Sequence, residues 1–205
     1  GGTTRRAAKM VVLDVGHPDV EEFVWCKARE ERKVRVLEQA GFDVGFDGAD
    51  SHSVMYQNAN NSVRVTDEFM EAVVADGEWG LRAITDGSVL ETVRARDLFR
   101  QMAEAAWECA DPGIQFDTTI NRWHTAANTG RITASNPCSE YVHLDDSACN
   151  LASLNLLKFL GATDHETEAI GGFDLDGFRH AVEVVLTAQE ILVGNADYPT
   201  EAIGE

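Results

Sequence analysis

Short apolar runs and longer segments with helical spacing of apolar residues alternate along the chain. Strands are predicted where brief apolar runs lie between turn residues: 9–15, 62–65, 79–85, 114–117 and 151–160. In the last of these segments, a first helical turn is predicted together with the strand. Helices are predicted where apolar residues recur every three or four positions: 19–39, 67–75, 96–109 and 174–195. Thr66 is the predicted N-cap of the second helix, and Gly41 ends the first. Strands that alternate with helices place the chain in the α/β class.

Two polar stretches interrupt this alternation and are predicted as loops. Residues 41–61 are rich in Gly, Asp, Asn and Ser, and the asparagines near their end are typical of turns. The second loop begins at Gly130, after a short helical segment near 121–123. His124 lies just before it, and we expect a surface histidine with satisfied hydrogen bonds rather than a catalytic one.

Composition limits the class of protein. The 205 residues are 44% hydrophobic, enough for one sizeable core. The net charge of −18, from 35 acidic and 17 basic residues, argues against a nucleic-acid groove or an anionic membrane surface as partner. No apolar run approaches the ~20 residues that span a membrane. Four cysteines without a disulfide framework suit a reducing compartment, so a cytoplasmic protein is expected.

The densest chemistry lies in Asn136-Pro137-Cys138-Ser139-Glu140, which holds an amide, a thiol and a carboxyl group. Pro137 lacks a backbone donor and restrains the residue before it, which predicts an irregular loop tip. In an extended segment alternate residues share one face, so Asn136, Cys138 and Glu140 are predicted to point to the same place. A carboxylate there can accept a proton from a substrate hydroxyl that the amide orients.

Cys149 follows Cys138 beyond a polar stretch, and a hairpin-like return would bring the two thiols together. A second thiol beside a reactive one suggests electron supply by disulfide formation. A buried structural thiol remains the alternative for each of them. No metal is expected, because the chain has no C-x-x-C and no histidine pair at zinc-ligand spacing. Cys26 and Cys109 fall inside predicted helices and are expected to be structural.

The start of the chain is its most basic segment and combines glycine with arginine. Glycine lets backbone approach a ligand closely, and arginine can bind a phosphate through two donors, so a nucleotide loop is one interpretation. A solvated chain end is the other. The candidate residues are Gly1, Gly2, Thr3, Thr4, Arg5 and Arg6.

Two motifs resemble a known family. Asn-Pro-Cys-Ser-Glu-Tyr at 136–141 and Ser-Ala-Cys-Asn-Leu-Ala-Ser-Leu-Asn-Leu at 147–156 look like the finger-loop region of the ribonucleotide reductase large chain. They look most like its adenosylcobalamin-dependent (class II) form. Other segments agree in the same order, and the resemblance weakens only at 161–172; the agreeing segments are 1–10, 57–65 and 111–114.

The resemblance implies a role for each site residue. Cys138 matches the cysteine that becomes a thiyl radical and removes hydrogen from the ribose 3′ carbon. Glu140 matches the base on the 3′ hydroxyl, and Asn136 matches the amide that binds the sugar hydroxyls. Cys149 matches one half of the dithiol that reduces the substrate, with the other half upstream of this chain. Residues 1–6 match the loop that carries information from an effector nucleotide to the substrate base.

The same resemblance implies that residues 1–205 are part of one catalytic barrel domain, truncated at both ends. Its fold would be a ten-stranded α/β barrel with a central cysteine-bearing finger loop. Adenosylcobalamin is the implied cofactor, with a ribonucleotide substrate, a dNTP or ATP effector, a thioredoxin-like reductant and a homodimer of the full-length enzyme. The fragment alone is expected to lack turnover. A glycyl-radical-type enzyme and an inactive nucleotide-binding or structural fragment stay open as alternatives.

Overall fold

A computed structural model of the chain describes residues 8–45, 47–163 and 170–204. The chain divides into two compact units, with the boundary between Asp145 and Asp146. The first unit contains a parallel sheet, a hairpin and the helices that pack on them. The second contains a hairpin and a long helix.

The elements of the first unit alternate between strand and helix over most of its length. They are β1 (Lys9–Asp14), α1 (Val20–Gln39), β2 (Ala59–Val65), α2 (Asp67–Ala75), β3 (Glu78–Arg82), β4 (Val89–Arg94), α3 (Ala95–Cys109), β5 (Gly113–Phe116) and α4 (Asp117–Trp123). Strands β1, β2 and β5 form a parallel sheet in the order β1-β2-β5. Strands β3 and β4 pair antiparallel. The α/β class is confirmed.

Local signals set the helix ends much as the sequence predicts. Thr66 caps α2, because its Oγ1 accepts a hydrogen bond from the Phe69 N–H at 3.3 Å. The helix ends at Asp76, which has a left-handed backbone with a φ of 55°. Helix α1 ends before Gly41, whose φ of 89° suits glycine.

The two faces of the parallel sheet differ in chemistry. One face carries Val63 and Val65, which are buried in a core formed with α1, α2 and α3. The opposite face carries Ser62, Arg64 and Gln115, which are polar yet no more than 5% exposed. Arg64 and Gln115 are neighbours in the β2–β5 register. The helices therefore cover one face, and polar side chains occupy the other.

The second hairpin strand of the first unit is absent from the sequence prediction. The strand predicted at 79–85 ends at Arg82, and β4 then pairs with it. Val89 and Leu90 are exposed, as are most residues of β4. Only Val93 of this strand is partly buried against the core, so the strand has no apolar alternation to reveal it, and the pattern misses β4.

The asparagines that predict turns lie partly in a strand, so that interpretation is wrong for Asn60 and Asn61. Strand β2 begins at Ala59, and Asn61 is 4% exposed. The Asn61 backbone N–H donates to an Asp111 carboxylate oxygen at 3.2 Å, and its Nδ2 donates to the Cys26 sulfur at 3.2 Å. These partners satisfy a buried amide that would otherwise be costly.

The second unit has its elements in the order 3-10 helix, hairpin, long helix and short helix. They are a 3-10 turn (Leu156–Phe159), β6 (Leu160–Thr163), β7 (Ile170–Phe173), α5 (Leu175–Asn195) and α6 (Glu201–Gly204). Asp174 caps α5 by accepting from the Gly177 N–H at 2.9 Å. The rings of Phe159, Phe173 and Phe178 lie 5.3–6.0 Å apart and hold the hairpin to the helix. The predicted helix at 174–195 is confirmed.

The strand predicted at 151–160 is wrong over most of its length, but the helical turn predicted in the same segment is present at Leu156–Phe159. Asn155 Oδ1 accepts from the Leu157 N–H at 3.1 Å, and this local bond turns the backbone into a 3-10 helix. Leu151, Leu156 and Leu157 remain exposed in this unit. Only β6 begins at the end of the predicted segment.

The described residues do not form a closed barrel; their strands make one three-stranded parallel sheet and two antiparallel pairs. Across the same residues, no helix combines the length and apolar character that crossing a membrane requires.

Two of the four thiols lie in helices, as predicted. Cys26 in α1 and Cys109 in α3 are half-buried. Burial raises the pKa of the Cys26 thiol, and it likewise raises the pKa of the Cys109 thiol. Cys138 and Cys149 are exposed.

We expect Phe69→Ala to lower the free energy of unfolding by about 3–5 kcal/mol, since the ring is fully buried and packs edge-on to Trp79 at 5.2 Å. The matched control is Val74→Ala on the same helix, at 78% exposure, which should change stability by less than about 0.5 kcal/mol. Urea denaturation measures both. Equal losses for the two variants would contradict the core described above.

We also expect the four thiols to separate by reactivity. Iodoacetamide should label Cys138 and Cys149 before Cys26 and Cys109, because a raised pKa lowers the thiolate fraction and burial limits access. Peptide mass spectrometry of the folded chain at about pH 8 gives the four rates. Denatured protein, in which all four should react alike, is the control. Faster labelling of Cys26 than of Cys138 would contradict the expectation.

Candidate active site

The turn that carries Cys138, residues 136–141, is closed at its base by Asn136 and Tyr141. The Asn136 N–H donates to the Tyr141 carbonyl at 3.2 Å, and the Tyr141 N–H donates to Asn136 Oδ1 at 2.9 Å. Inside it, the Ser139 N–H donates to the Asn136 carbonyl at 3.0 Å. We call this segment the Cys138 turn.

The loop tip that Pro137 predicts is confirmed, but the extended geometry is wrong. The chain reverses between Asn136 and Ser139, and Ser139 has a left-handed backbone with a φ of 64°. Alternate residues of a turn do not share one face as they do in a strand. Cys138 and Glu140 are exposed in this turn, and Asn136 is half-buried.

The geometry of the turn determines what each of the three predicted groups can offer to a ligand. The Cys138 thiol and the Glu140 carboxyl are open to a ligand. The Asn136 oxygen is committed to the Tyr141 N–H, so a ligand oxygen would be bound by the Nδ2 donors of Asn136. The turn thus presents a thiol, a carboxyl group and an amide donor within five residues of chain.

Below the turn, a path of hydrogen bonds runs into the sheet. The Ser135 hydroxyl donates to the Asn136 carbonyl at 2.9 Å and lies 3.3 Å from the Ser139 Oγ. Gln115 Nε2 donates to the Ser135 Oγ at 2.7 Å. Arg64 Nη1 donates to Gln115 Oε1 at 3.1 Å. The side chains of Ser135 and Gln115 therefore link the turn to a buried guanidinium.

Arg64 bonds with three elements at once. Its Nε donates to Asp117 Oδ1 at 2.6 Å, its Nη2 donates to the Ile132 carbonyl at 2.6 Å, and its Nη1 reaches Gln115. The Arg64 side chain is 2% exposed, and Asp117 supplies the opposite charge. Arg131 also donates to Asp117, at 2.5 Å from Oδ2. One carboxylate therefore holds two arginines.

Asn121 of α4 holds the segment that leads to the turn. Its Oδ1 accepts from the Ile132 N–H at 2.9 Å, and its Nδ2 donates to the Ile132 carbonyl at 3.1 Å. Ile132 is 3% exposed. This two-point contact fixes the backbone three residues before Ser135.

A cleft of about 720 Å³ lies along the polar face of the sheet. Met10, Val12 and Asp14 of β1 line one side of it, and Arg64 and residues 131, 133 and 134 line the other. It is large enough for a small-molecule ligand. Because residues 131–134 lead directly to the Cys138 turn, the cleft and the turn belong to one region of the first unit.

His124 differs from the prediction of a satisfied surface histidine. Its Nε2 is buried and has no hydrogen-bond partner within the described part of the chain. Its ring lies edge-on to His143 at 6.1 Å, and His143 stacks on Tyr141 at 5.8 Å. The three rings support the base of the Cys138 turn.

The remaining predicted site residues belong to other parts of the chain. Cys149 belongs to the second unit, where it is exposed in an irregular segment. Gly1, Gly2, Thr3, Thr4, Arg5 and Arg6 lie outside the described residues. Among the residues that are described, no three His, Cys, Asp or Glu side chains cluster as a metal site.

Sequence reasoning misses the residues that support the turn, which are Arg64, Gln115, Asp117, Asn121 and Ser135. A signal for Arg64 exists in the sequence: it lies between Val63 and Val65 in a predicted short strand, where burial of both faces would bury the charge as well. A charge in such a strand requires a partner, because an unpaired buried charge is unstable. No local signal identifies the partners, which come from later elements of the chain.

Comparisons with known proteins agree on one family. A sequence model of the ribonucleotide reductase barrel domain matches residues 1–205. The chain is 60% identical to a vitamin B12-dependent ribonucleotide reductase of Streptomyces clavuligerus, over 100% of this chain and 21% of that protein. It is 53% identical to the protein of the same name from Rhodopirellula baltica, over 99% of this chain and 19% of that protein.

A more distant relative is a vitamin B12-dependent ribonucleoside-diphosphate reductase of Mycobacterium tuberculosis, 32% identical over 100% of this chain and 25% of that protein. The chain spans 19–25% of the length of these relatives. The match nevertheless covers every element described above, including the Cys138 turn and the network beneath it. The chain therefore belongs to the ribonucleotide reductase barrel-domain family.

Proposed function

We propose that this chain is the part of an adenosylcobalamin-dependent ribonucleotide reductase that carries the radical cysteine. The whole enzyme would reduce ribonucleotides to 2′-deoxyribonucleotides for DNA synthesis. The observation that carries the proposal is the exposed Cys138 on a turn that also holds Asn136 and Glu140. Relatives named as vitamin B12-dependent reductases support it.

Each group on the turn has one task in the proposed reaction. Cys138, as a thiyl radical, takes the hydrogen atom from the ribose 3′ carbon. Glu140 accepts the 3′ hydroxyl proton while the 2′ hydroxyl leaves as water, and Asn136 binds the sugar hydroxyls. Cys149 and the partner cysteine of the full-length enzyme supply two electrons and two hydrogens and become a disulfide. One hydrogen goes to the leaving 2′ hydroxyl, which departs as water, and the other goes to the 2′ carbon, while Glu140 returns its proton to the 3′ oxygen. Cys138 then returns a hydrogen atom to the 3′ carbon and is again a thiyl radical.

One residue of this chain, Cys138, fits the chemistry of the proposed cofactor. Cys138 is an exposed thiol on a hydrogen-bonded turn, which suits a group that gives up its hydrogen atom to a bound radical source. Adenosylcobalamin, when bound, would supply that radical chemistry. Cys138 is the residue that would face it. The role of the chain would be to hold this thiol in a fixed position that the radical source can reach.

The sheet supports a place in a larger barrel. Within the described residues, β1 and β5 each pair on one side only, and helices cover only one face of the sheet. Parallel sheets normally have both faces covered by other elements. We propose that residues 1–205 are part of one catalytic domain, a ten-stranded α/β barrel, in which the polar face and the Cys138 turn lie inside. Such an interior shields a radical from water.

Partners follow from the proposed chemistry. The substrate is a ribonucleotide, and a thioredoxin-like protein would reduce the disulfide formed with Cys149. A dNTP or ATP effector would act through residues 1–6, and the full-length enzyme would be a homodimer. All four cysteines are free thiols, which is the state that the cytoplasm maintains. The cytoplasm is therefore the compartment that we propose.

Replacing each of the two exposed cysteines by serine should impair the reaction of the full-length enzyme at a different step. Cys138→Ser should abolish both deoxynucleotide formation and release of the base, because a serine O–H bond is too strong to exchange hydrogen with the radical source. Cys149→Ser should still lose the 3′ hydrogen, but the substrate radical would decay with release of the base, since no dithiol completes the reduction. Reaction of each variant with a labelled nucleotide measures deoxynucleotide formation and release of the base separately.

The control for this pair is Cys109→Ser, which changes a half-buried helical thiol and should keep normal turnover. Base release by Cys138→Ser would contradict the assigned roles. Sustained turnover of Cys149→Ser with a thioredoxin system would do the same.

Arg5→Ala or Arg6→Ala should change which base is reduced under a given effector, with little effect on folding. The physical reason is that a guanidinium binds phosphate and base edges through several donors, which alanine lacks. Competition among four ribonucleotides with each effector measures the preference. Arg179→Ala, at an exposed position of α5, is the matched control. An unchanged preference under every effector would show that residues 1–6 are not the specificity loop.

A further inference from the structure

We infer that Gln115 and Ser135 position the Cys138 turn, and that Arg64 sets the direction of the hydrogen bonds between them. This inference rests on the proposed function of Cys138. The three residues contact no reacting group in the proposed mechanism, so they act as positioning residues. The path runs from a buried charge to the Asn136 carbonyl.

The first step is the orientation of Gln115. A guanidinium has only donors, so the Gln115 Oε1 must face Arg64, as the 3.1 Å contact has it. The Gln115 Nε2 is then forced to face Ser135, at 2.7 Å from its Oγ. Gln115 is 5% exposed and Arg64 is 3% exposed, which leaves little room for water to replace either partner. The amide therefore has one stable orientation.

The second step is the direction of the Ser135 hydroxyl. Because Ser135 accepts from Gln115, its own proton is available for the Asn136 carbonyl at 2.9 Å. The same carbonyl accepts the Ser139 N–H at 3.0 Å. Two donors thus hold one carbonyl, and Cys138 lies in the chain between the residues that supply the ends of this turn. The position of the thiol depends on both bonds.

The hydrogen-bonded path holds the turn on both sides of Cys138. The Ser139 hydroxyl, 3.3 Å from the Ser135 Oγ, ties the far side of the turn to the same point. Ser135 therefore contacts the turn before and after Cys138. A displacement of about 1 Å at a reacting group can reduce the rate about 10²-fold. A turn that carries an exposed thiol needs such a fixed base, because an exposed side chain has few neighbours to hold it in place.

The test uses the full-length enzyme and two variants that change the path at different points. Ser135→Ala removes the hydroxyl. Gln115→Glu keeps an acceptor for Arg64, whose charge favours the ionised carboxylate, but presents an acceptor to Ser135. The Ser135 proton then turns to Glu, and the bond to the Asn136 carbonyl is lost. Ser135→Thr keeps the hydroxyl and is the conservative rescue.

We expect kcat to fall about 10²-fold in Ser135→Ala and Gln115→Glu, with the KM for the ribonucleotide changed less than about twofold. Ser135→Thr should recover most of the lost kcat. Ser88→Ala is the matched control, since it also removes one serine hydrogen bond, that to Asp86 at 2.7 Å in the β3–β4 turn. It should behave as wild type.

A second measurement does not depend on catalysis. The alkylation rate of Cys138, followed by peptide mass spectrometry, should change several-fold in both variants while that of Cys109 stays constant. If the wild-type enzyme made no deoxynucleotide, the proposed function would fail, and the alkylation rates would still test the positioning. Wild-type kcat together with wild-type Cys138 alkylation in both variants overturns the inference. So does a loss of kcat explained wholly by a lower melting temperature, without recovery by Ser135→Thr.

Discussion

The buried guanidinium of Arg64 is the interaction on which the candidate site depends. Leaving a buried charge without its partner costs roughly 3–5 kcal/mol, so β2 can carry this residue only where other elements supply acceptors. Gln115 of β5, Asp117 of α4 and the carbonyl of Ile132 each supply one. The same three contacts hold the strand, the helix and the approach to the Cys138 turn together. Because Arg64 needs these partners, the same contacts also restrict the position of the Cys138 thiol.

The sheet separates stability from chemistry. Its apolar face packs against three helices in a core that includes Val63, Val65 and Phe69, and burial there provides the main stabilising contribution. Its polar face holds the Arg64 network and borders the cleft of about 720 Å³. Because alternate residues of one strand serve the two faces, β2 contributes to the core and to the site at the same time. Changes on one face need not disturb the other.

Environment divides the four cysteines into two kinds. Cys26 and Cys109 lie within helices, and burial raises the pKa of each thiol, which suppresses the thiolate and its reactions. Cys138 is exposed, and it lies on a turn that hydrogen bonds between Asn136 and Tyr141 close. A radical mechanism of the kind we propose needs this combination of access and fixed position.

The sequence by itself determined the α/β class, the main helices and the loop tip at Pro137, because spacing, caps and proline act over a few residues. It also contained the motif by which the family is recognised. Only the tertiary structure decided that β4 pairs with β3, that Asn61 is a buried strand residue, and that the Cys138 turn bends at Ser139 instead of extending. It alone joined Arg64 to partners 51, 53 and 68 positions away. Contacts between residues so far apart in the chain depend on the whole fold, and no local pattern encodes them.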